Sequence, residues 1–406
     1  MMTDSRIKIG PLSLLYFGTL LFIVMSFTNN PVTALNIYVI NLLFLSVVVG
    51  YLFFLDGPHL KLNFSISFAV IVCTIFLLTM PVYQTHVYTL IIFLKIVVLI
   101  LFFRRVSIPQ KEMLNFINFS FACYLLLSIL FWIFSSDDAS NGRLQNEEFT
   151  VHIFGFSYQV LHGIKGSPAH VDTYSAVVLI INLTINSMQK YRKIVIFLAL
   201  LGILLSFRLT PFVGLFLVFI SKPWLNKRYF FGLFNLLGML LFILLISLLT
   251  VQPQLMLAGK ISLSDFAYLG THARSQIWVM QTDIMLTTYD IYQYIFGGFQ
   301  VDKFSVPLMQ FWGAETGRFA SNPHNNYLLL FFRSPLLFIY MMLVFYWCSL
   351  KYLNKRYYLL FSFILLACYT NSSLISLENP VYIYLFIYLL LEVNGRKENI
   401  YVRSER

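Results

Sequence analysis

Long apolar runs recur along almost the whole chain, and they constrain its fold more than any other feature. Only 11% of the 406 residues are charged, whereas 59% are hydrophobic. Because a soluble domain has about 25% charged residues, this chain has too few charges to cover a water-exposed surface. The sequence therefore predicts an all-α polytopic membrane protein whose apolar runs form spanning helices.

Twelve runs are candidates for spanning helices, each of which needs about 20 apolar residues. They lie near residues 11–28, 33–55, 63–80, 86–103, 114–134, 172–188, 194–207, 209–221, 229–251, 334–350, 357–369 and 380–393. The two short runs on either side of Arg208 could be one helix, but that would put a charge at mid-bilayer, which is costly. Since Pro211 suits the first turn of a new helix, we expect two helices that meet at Arg208.

The positions of the basic residues orient these helices. With the N-terminus in the cytoplasm, 19 of the 28 Lys and Arg residues fall in cytoplasmic segments. Because basic residues beside spans favour the cytoplasmic side, both termini are predicted to be cytoplasmic. The net charge of +11 is thus explained by topology, and nucleic acid is not a predicted partner. All four cysteines lie in apolar runs and indicate neither disulfides nor a metal site.

Two long loops are predicted outside the cytoplasm and divide the chain. The first, residues 135–171, interrupts the nine helices of residues 1–250, and the second is residues 251–326. Residues 327–406 then hold helices ten to twelve and a cytoplasmic tail. The second loop is rich in Trp, Tyr and Phe, which is the opposite of a disordered composition. We therefore predict that it is a folded, functional segment.

Within the second loop, residues 274–294 are predicted to form an amphipathic helix on the membrane surface, ended by Gly297-Gly298. Basic residues are disfavoured outside the cytoplasm, so those in the external loops are candidates for a site. They are Arg143, Lys165, Lys260, Arg274, Lys303 and Arg318, with Arg208 and Arg333 at loop borders. Arginine binds phosphate through two parallel hydrogen bonds, which indicates a diphosphate site built from Arg208, Arg274 and Arg318. The structural alternative is snorkelling, or pairing with Asp283, Asp290 or Asp302.

His324 lies at a predicted boundary between the second loop and a helix. An imidazole there can act as a general base near neutral pH, and His272 is a secondary candidate. The structural alternative is a histidine that caps the helix or forms an interfacial hydrogen bond. Lys95, inside the fourth apolar run, is assigned no role. No spacing of His, Cys or acidic residues indicates a metal, and no Walker loop indicates nucleotide binding.

Three motifs follow one another along residues 163–340. They are Ser206-Phe207-Arg208-Leu209-Thr210; Arg274-Ser275-Gln276-Ile277-Trp278 followed by Gly297-Gly298; and Pro323-His324-Asn325-Asn326-Tyr327-Leu328. They are similar to the elements Ser-x-Arg-Thr/Gly, Arg-x-x-x-Trp…Gly-x-Gly and Pro-His-Asn-x-Tyr-Leu. Because the three motifs occur in this order, the chain resembles the O-antigen polymerase and O-antigen ligase superfamily of bacterial envelope glycosyltransferases.

The resemblance implies a GT-C-like membrane fold in the bacterial inner membrane and a metal-independent, inverting glycosyltransferase without cofactors. The glycan would leave undecaprenyl diphosphate on the periplasmic face. Arg208 and Arg274 would hold the diphosphate in a cavity open to the periplasm, and His324 would take the proton of the acceptor hydroxyl. Further substrate contacts are assigned to Arg143, Lys303, Arg318 and His272. Partners would be the lipid-linked oligosaccharide, membrane lipids and, as a candidate, a chain-length regulator protein.

The acceptor distinguishes the two activities of this family. Ligases often have Gly after nine residues that follow the His-Asn pair and a second small residue after it, whereas this chain has Pro335 and then Phe338. We therefore favour the polymerase, which extends a lipid-linked repeat-unit chain in lipopolysaccharide biosynthesis, over the ligase, which transfers the polymer to lipid A-core. A lipid-linked oligosaccharide flippase is a third alternative, but it should show pseudo-repeated halves.

The topology makes a prediction that reporter fusions can check. Alkaline phosphatase folds only where its disulfides form, so a fusion within residues 251–326 should be active. Fusions after Lys227 or Lys355 should be inactive. An inactive fusion in the long loop, with an active cytoplasmic reporter at the same point, would contradict the predicted orientation.

Overall fold

The structure is a computed structural model in which almost all described residues are helical, so the predicted helical class is confirmed. The described residues are 10–26, 33–56, 84–106, 108–135, 150–153, 156–159, 161, 168–185, 191–206, 209–225, 227–234, 236–238, 240–241, 244, 274–296, 298, 301–307, 319–320, 325–333, 335–367, 384–385 and 387–388. Two short hairpins are the exceptions to the helical pattern. Neither hairpin was among the elements predicted from the sequence.

The chain divides into two compact units. Unit 1 contains Met1–Ile71, Tyr88–Arg208 and Ser376–Arg406, and unit 2 contains Val72–Val87 and Leu209–Ile375. This division follows contacts between residues, whereas the predicted boundary at residue 250 follows the positions of spans and loops.

Unit 1 is built from six helices and one hairpin among the described residues. In chain order they are α1 (Pro11–Ser26), α2 (Thr33–Asp56), α3 (Gln84–Arg105), α4 (Gln110–Ser135), β1 (Thr150–Ile153), β2 (Phe156–Gln159), α5 (Pro168–Thr184) and α6 (Arg192–Ser206). Proline is the first residue of α1 and of α5, a position where its missing N–H has no helical partner to lose. Near the other end of the chain, Tyr388 Oη donates to the Ile108 carbonyl at 3.1 Å, which fixes Tyr388 to this unit.

Helix α5 is the core of unit 1. Its residues from Val171 to Asn182 are all buried, as expected of a helix enclosed on every side. It packs against α4 and, over most of its length, against α6. A side chain at Gly202 of α6 would overlap Ser175 Oγ and crowd Leu125, so glycine is what permits the close approach of α5 and α6.

Two buried polar contacts join helices within unit 1. Asn118 of α4 and Asn182 of α5 exchange amide hydrogen bonds of 3.1 and 2.8 Å. Lys95 of α3 is 2% exposed, and its Nζ donates to Asn41 Oδ1 of α2 at 2.8 Å. The lysine left without a role by the sequence is therefore one half of a buried contact between two helices.

The longer segment of unit 2, Leu209–Ile375, begins with α7 (Leu209–Ile220) and α8 (Lys222–Leu225). After further helical residues at 228–234 come α9 (Arg274–Thr288), α10 (Ile291–Phe296), α11 (Val301–Phe304), β3 (Val306–Pro307), β4 (Phe319–Ala320), α12 (Asn326–Arg333), α13 (Pro335–Tyr352), a 3-10 turn (Lys355–Tyr357) and α14 (Tyr358–Ala367). Gly214 of α7 lies against the Phe363 ring of α14, and the Phe231 and Tyr358 rings stack with centroids 4.0 Å apart.

The described helices match most of the predicted spans in position, but they do not establish how many cross a membrane. Two helices occupy the region on either side of Arg208, since α6 ends at Ser206 and α7 begins at Leu209, and the predicted junction at residues 207–208 lies outside the described residues. One described helix, Gln110–Phe134, is long and apolar enough to span. Shorter apolar helices cover Pro11–Leu21, Val39–Leu52, Val171–Thr184 and Pro211–Ile220. The predicted span at 63–80 lies outside the described residues.

Many helices expose large apolar side chains on the face opposite to the core. On α6, Val195, Ala199 and Ile203 are buried, while Ile194 and Phe197 are more than half exposed. Helices α4 and α7 show the same arrangement, with exposed side chains that include Phe119, Leu130, Phe134, Phe212 and Phe216. Water-soluble proteins rarely carry such continuous apolar surfaces. These helices are apolar both toward the core and away from it.

The first hairpin forms where the sequence combines β-branched and aromatic residues with a short connection. Strands β1 and β2 are antiparallel, with Ile153 opposite Phe156, and two residues separate them. Strand β3 pairs with β4 within the second predicted loop, with Val306 opposite Ala320. Segments this short have too weak a periodicity to be recognised as strands in advance.

The Asn118–Asn182 contact can be tested by a double-mutant cycle. Asn182→Leu should lower the free energy of unfolding by about 1–3 kcal/mol, because it leaves the Asn118 amide buried without this partner. The double variant Asn118→Leu/Asn182→Leu should recover part of that loss, since no amide then remains unpaired. Thermal unfolding of the detergent-solubilised protein measures both. Strictly additive losses would contradict a coupled pair.

Candidate functional site

Most residues assigned to the site lie outside the described residues. These are Arg143, Arg208, His272, Arg318 and His324. Arg274 is the first residue of α9, and Lys303 is an exposed residue of α11. The expected meeting of Arg208, Arg274 and His324 in one cavity therefore stays a prediction. The site can be built only from the elements next to them.

Helix α9 is packed into unit 2 by a broad face. Ile277, Trp278 and Val279 are buried, as are Gln281 and Thr282 one turn later. The side chains lie against α11, α12 and β3. Gln281 Nε2 donates to the Phe304 carbonyl at 2.9 Å, which fixes the end of α11 to this helix. Arg274 thus begins a helix that is held by buried contacts from its first turn onward.

The predicted single helix over 274–294 is wrong, because two helices occupy this range. Helix α9 ends at Thr288, and α10 begins at Ile291 after an interruption at Tyr289 and Asp290. Asp290 Oδ1 accepts the Gln293 N–H at 2.8 Å, while Gln293 Oε1 accepts the Asp290 N–H at 3.1 Å. This reciprocal capping starts a new helix, and the pair Asp290-x-x-Gln293 was its signal in the sequence. The predicted end at Gly297-Gly298 is confirmed, since α10 ends at Phe296.

An aromatic cluster joins the elements of the long loop to α12. It consists of Tyr294, Tyr289, Phe304 and Phe332, and in this order the centroids of successive rings are 5.5 to 5.8 Å apart. Tyr289 Oη donates to the Phe332 carbonyl near the end of α12. Burial raises the pKa of Tyr289 above its usual value, although a hydrogen bond with the Gly298 backbone opposes the rise. The phenol therefore stays protonated and able to donate at neutral pH.

The start of α12 is the described structure nearest in sequence to His324. Asn325 is fully buried, and its Oδ1 accepts the Leu328 N–H at 3.1 Å. Its carbonyl accepts the Leu329 N–H at 2.9 Å, so Asn325 is the N-cap residue of the helix. The capping role that the sequence left open for His324 is thus performed by Asn325.

In unit 1, the described structure before Arg208 includes a buried carboxylate that the sequence analysis missed. Asp172 of α5 is 1% exposed and accepts a hydrogen bond of 2.8 Å from Thr173 Oγ1. At the end of α6, Ser206 is buried, and the Leu205 carbonyl accepts the Leu161 N–H at 2.9 Å. An acidic residue at the start of an apolar run was the signal, since charges in such runs are rare and often functional.

The Tyr289 hydrogen bond is expected to stabilise the long loop. Tyr289→Phe should lower the free energy of local opening around α9 and α10 by about 1 kcal/mol, because the Phe332 carbonyl loses its donor. Hydrogen exchange of the backbone amides measures this opening. Because the folded-state pKa is raised, the contribution should be complete below pH about 10 and decrease as the pH rises further.

Tyr294→Phe is the matched control, since the Tyr294 hydroxyl makes only a 3.5 Å contact with the Met285 carbonyl. Its exchange rates should be close to those of the unchanged protein. Equal effects of the two substitutions would contradict a specific role for the Tyr289 hydroxyl.

Comparison of the chain with models of known protein families, with curated proteins and with solved structures finds no match. Among the described residues, no group of three or more His, Cys, Asp or Glu is placed to hold a metal ion. The family resemblance therefore rests on the three ordered motifs and on the chemistry of their residues.

Proposed function

We propose that this protein is a multi-pass inner-membrane O-antigen polymerase with about twelve spanning helices and a GT-C-like fold. It transfers a glycan chain from undecaprenyl diphosphate to a lipid-linked repeat unit on the periplasmic side. Both termini lie in the cytoplasm, and residues 251–326 form the periplasmic catalytic loop. The proposal combines the ordered motifs with the properties of the described helices.

The exposed apolar faces support the membrane part of the proposal. Helices α4, α6 and α7 carry large hydrophobic side chains on the side away from their core. In a bilayer these side chains contact lipid tails and need no partner. The same faces in water would be a large aggregation surface.

The start of α12 is the observation that carries the catalytic part of the proposal. His324 immediately precedes Asn325, which already caps this helix through its own side chain. A histidine beside a helix start often caps the helix, but in this protein Asn325 performs the capping. Because an imidazole titrates near neutral pH, proton transfer is the role that suits it best.

The proposed reaction is a displacement at the anomeric carbon of the first sugar of the donor chain. The acceptor hydroxyl oxygen forms a bond to this carbon as the bond to the diphosphate oxygen breaks, so the configuration inverts. His324 accepts the hydroxyl proton, and undecaprenyl diphosphate leaves with the bonding electron pair. Arg208 and Arg274 offset the charge that develops on the leaving diphosphate. Further contacts with the substrate come from Arg143, Lys303, Arg318 and His272.

The packing of Phe338 supports the polymerase over the ligase. Family ligases often have small residues in this region, whereas the Phe338 ring is buried against Tyr327 and Phe331, with centroids 6.3 and 6.0 Å away. The space that a small residue would leave open beside α12 is filled. The ligase, with lipid A-core as its acceptor, remains the second candidate because the two activities share the same motifs.

His324→Ala should abolish chain extension while the protein remains folded in the membrane. In a deletion strain complemented with this variant, lipopolysaccharide gels should show core carrying one repeat unit and no long polymer. The reason is that the acceptor hydroxyl loses its proton acceptor, an effect of about 100- to 10,000-fold on rate.

His86→Ala is the matched control, because His86 is another histidine at the predicted periplasmic end of a helix. It should restore the full ladder of polymer lengths. Long polymer in the His324→Ala strain would count against the base role. A knockout with bare core and accumulated lipid-linked polymer would instead identify a ligase.

A further inference from the structure

Asn325 uses only one arm of its side-chain amide within the described structure. Its Oδ1 accepts the Leu328 N–H at 3.1 Å, but Nδ2 is buried and has no hydrogen-bond partner in the part of the chain described. The residue is 0% exposed. Since a buried donor without an acceptor costs stability, such a group suggests a ligand that supplies the acceptor.

The free arm lies at the start of α12, because Asn325 is the N-cap residue of this helix. Oδ1 accepts the Leu328 N–H, whereas Nδ2, the other arm of the planar amide, takes no part in the cap. Helix α12 has eight residues, and the start of a helix carries partial positive charge. Nδ2 therefore lies where the helix favours a negatively charged group.

We propose that Asn325 Nδ2, at the positively charged start of α12, binds a phosphate oxygen of the polyprenyl diphosphate donor. This inference rests on the proposed function and adds a binding residue to that site. The atom of this side chain without a partner is a donor, whereas Oδ1 already accepts the Leu328 N–H. An anionic oxygen needs only donors, whereas a sugar hydroxyl would also need an acceptor for its proton.

The helix that presents this amide is held firmly. Leu328 and Phe332 are fully buried, and Tyr327 Oη donates to the Leu365 carbonyl of α14 at 2.8 Å. Tyr289 of the aromatic cluster binds the Phe332 carbonyl near the other end. A donor on such a fixed element keeps its position before the ligand arrives, which makes the hydrogen bond more effective.

Two substitutions separate the capping function from the proposed binding function. Asn325→Ser and Asn325→Asp both keep a side-chain oxygen that can cap α12, and both remove the Nδ2 donor. Aspartate also places a negative charge beside the phosphate. If capping were the whole role of Asn325, both variants should bind ligand like the unchanged protein.

Asn354→Ser is the matched control. Asn354 caps the 3-10 turn in the same way, since its Oδ1 accepts the Arg356 N–H at 3.1 Å, and it is only partly buried. The full-length proteins are purified in maltoside detergent, which contains no phosphate. Size-exclusion chromatography and the thermal midpoint establish that each variant is folded.

The binding probe is farnesyl diphosphate, titrated by calorimetry. We expect Asn325→Ser to weaken binding about 10- to 100-fold, which is the usual loss for one hydrogen bond to a charged group. Asn325→Asp should weaken it further, and Asn354→Ser should leave it unchanged. If serine in place of Asn325 prevents folding, the aspartate variant alone decides.

Unchanged binding by folded Asn325 variants would overturn the inference and leave the proposed function standing. Failure of the unchanged protein to bind farnesyl diphosphate would overturn both. Phosphatidylglycerol is the competitor that distinguishes a bulk lipid headgroup from the donor. The decisive result is that phosphatidylglycerol displaces farnesyl diphosphate at equal concentration and that Asn325→Ser weakens the binding of both lipids by the same factor. The bound phosphate would then belong to a lipid headgroup, and the assignment to the donor would fail.

Discussion

Hydrogen bonds between buried polar side chains are the constraint on which unit 1 depends. Its helices are apolar on both faces, so burial of hydrocarbon distinguishes poorly between correct and incorrect packing. The paired amides of Asn118 and Asn182 distinguish correct from incorrect packing, because any other register of α4 and α5 would separate them. Lys95 and Asn41 have the same effect on α2 and α3. These contacts select one arrangement among many of similar apolar area.

The helices could be predicted from the sequence because spanning-type runs are long and their ends carry proline or glycine. Finer features could not, since they depend on single side chains. The separation of α9 from α10 is set by the Asp290–Gln293 capping pair, which overrides an apparently continuous helical pattern. Asp172 stands out in the sequence as an acidic residue in an apolar run, but its complete burial depends on the helices that surround it.

The sequence predicts which residues form the candidate site, but it does not show which of them also cap a helix. His324 and Asn325 are adjacent polar residues before an apolar run, and either could cap the helix. Only the hydrogen bond from Leu328 to Asn325 shows which one does. Similarly, the replacement of a small residue by Phe338 was visible in the sequence, whereas its packing against Tyr327 and Phe331 required the fold.

Three capped helix starts in unit 2 use the same chemistry with different consequences. Asp290 is exposed and exchanges hydrogen bonds with Gln293, so its polar atoms have either a partner or water. Asn354 is partly buried, and water can reach its side chain. Asn325 alone among these three combines complete burial with a donor that has no acceptor in the described structure. Capping requires only an oxygen, and aspartate or serine would supply it without leaving that donor. The amide nitrogen is therefore better explained by a ligand than by the stability of α12.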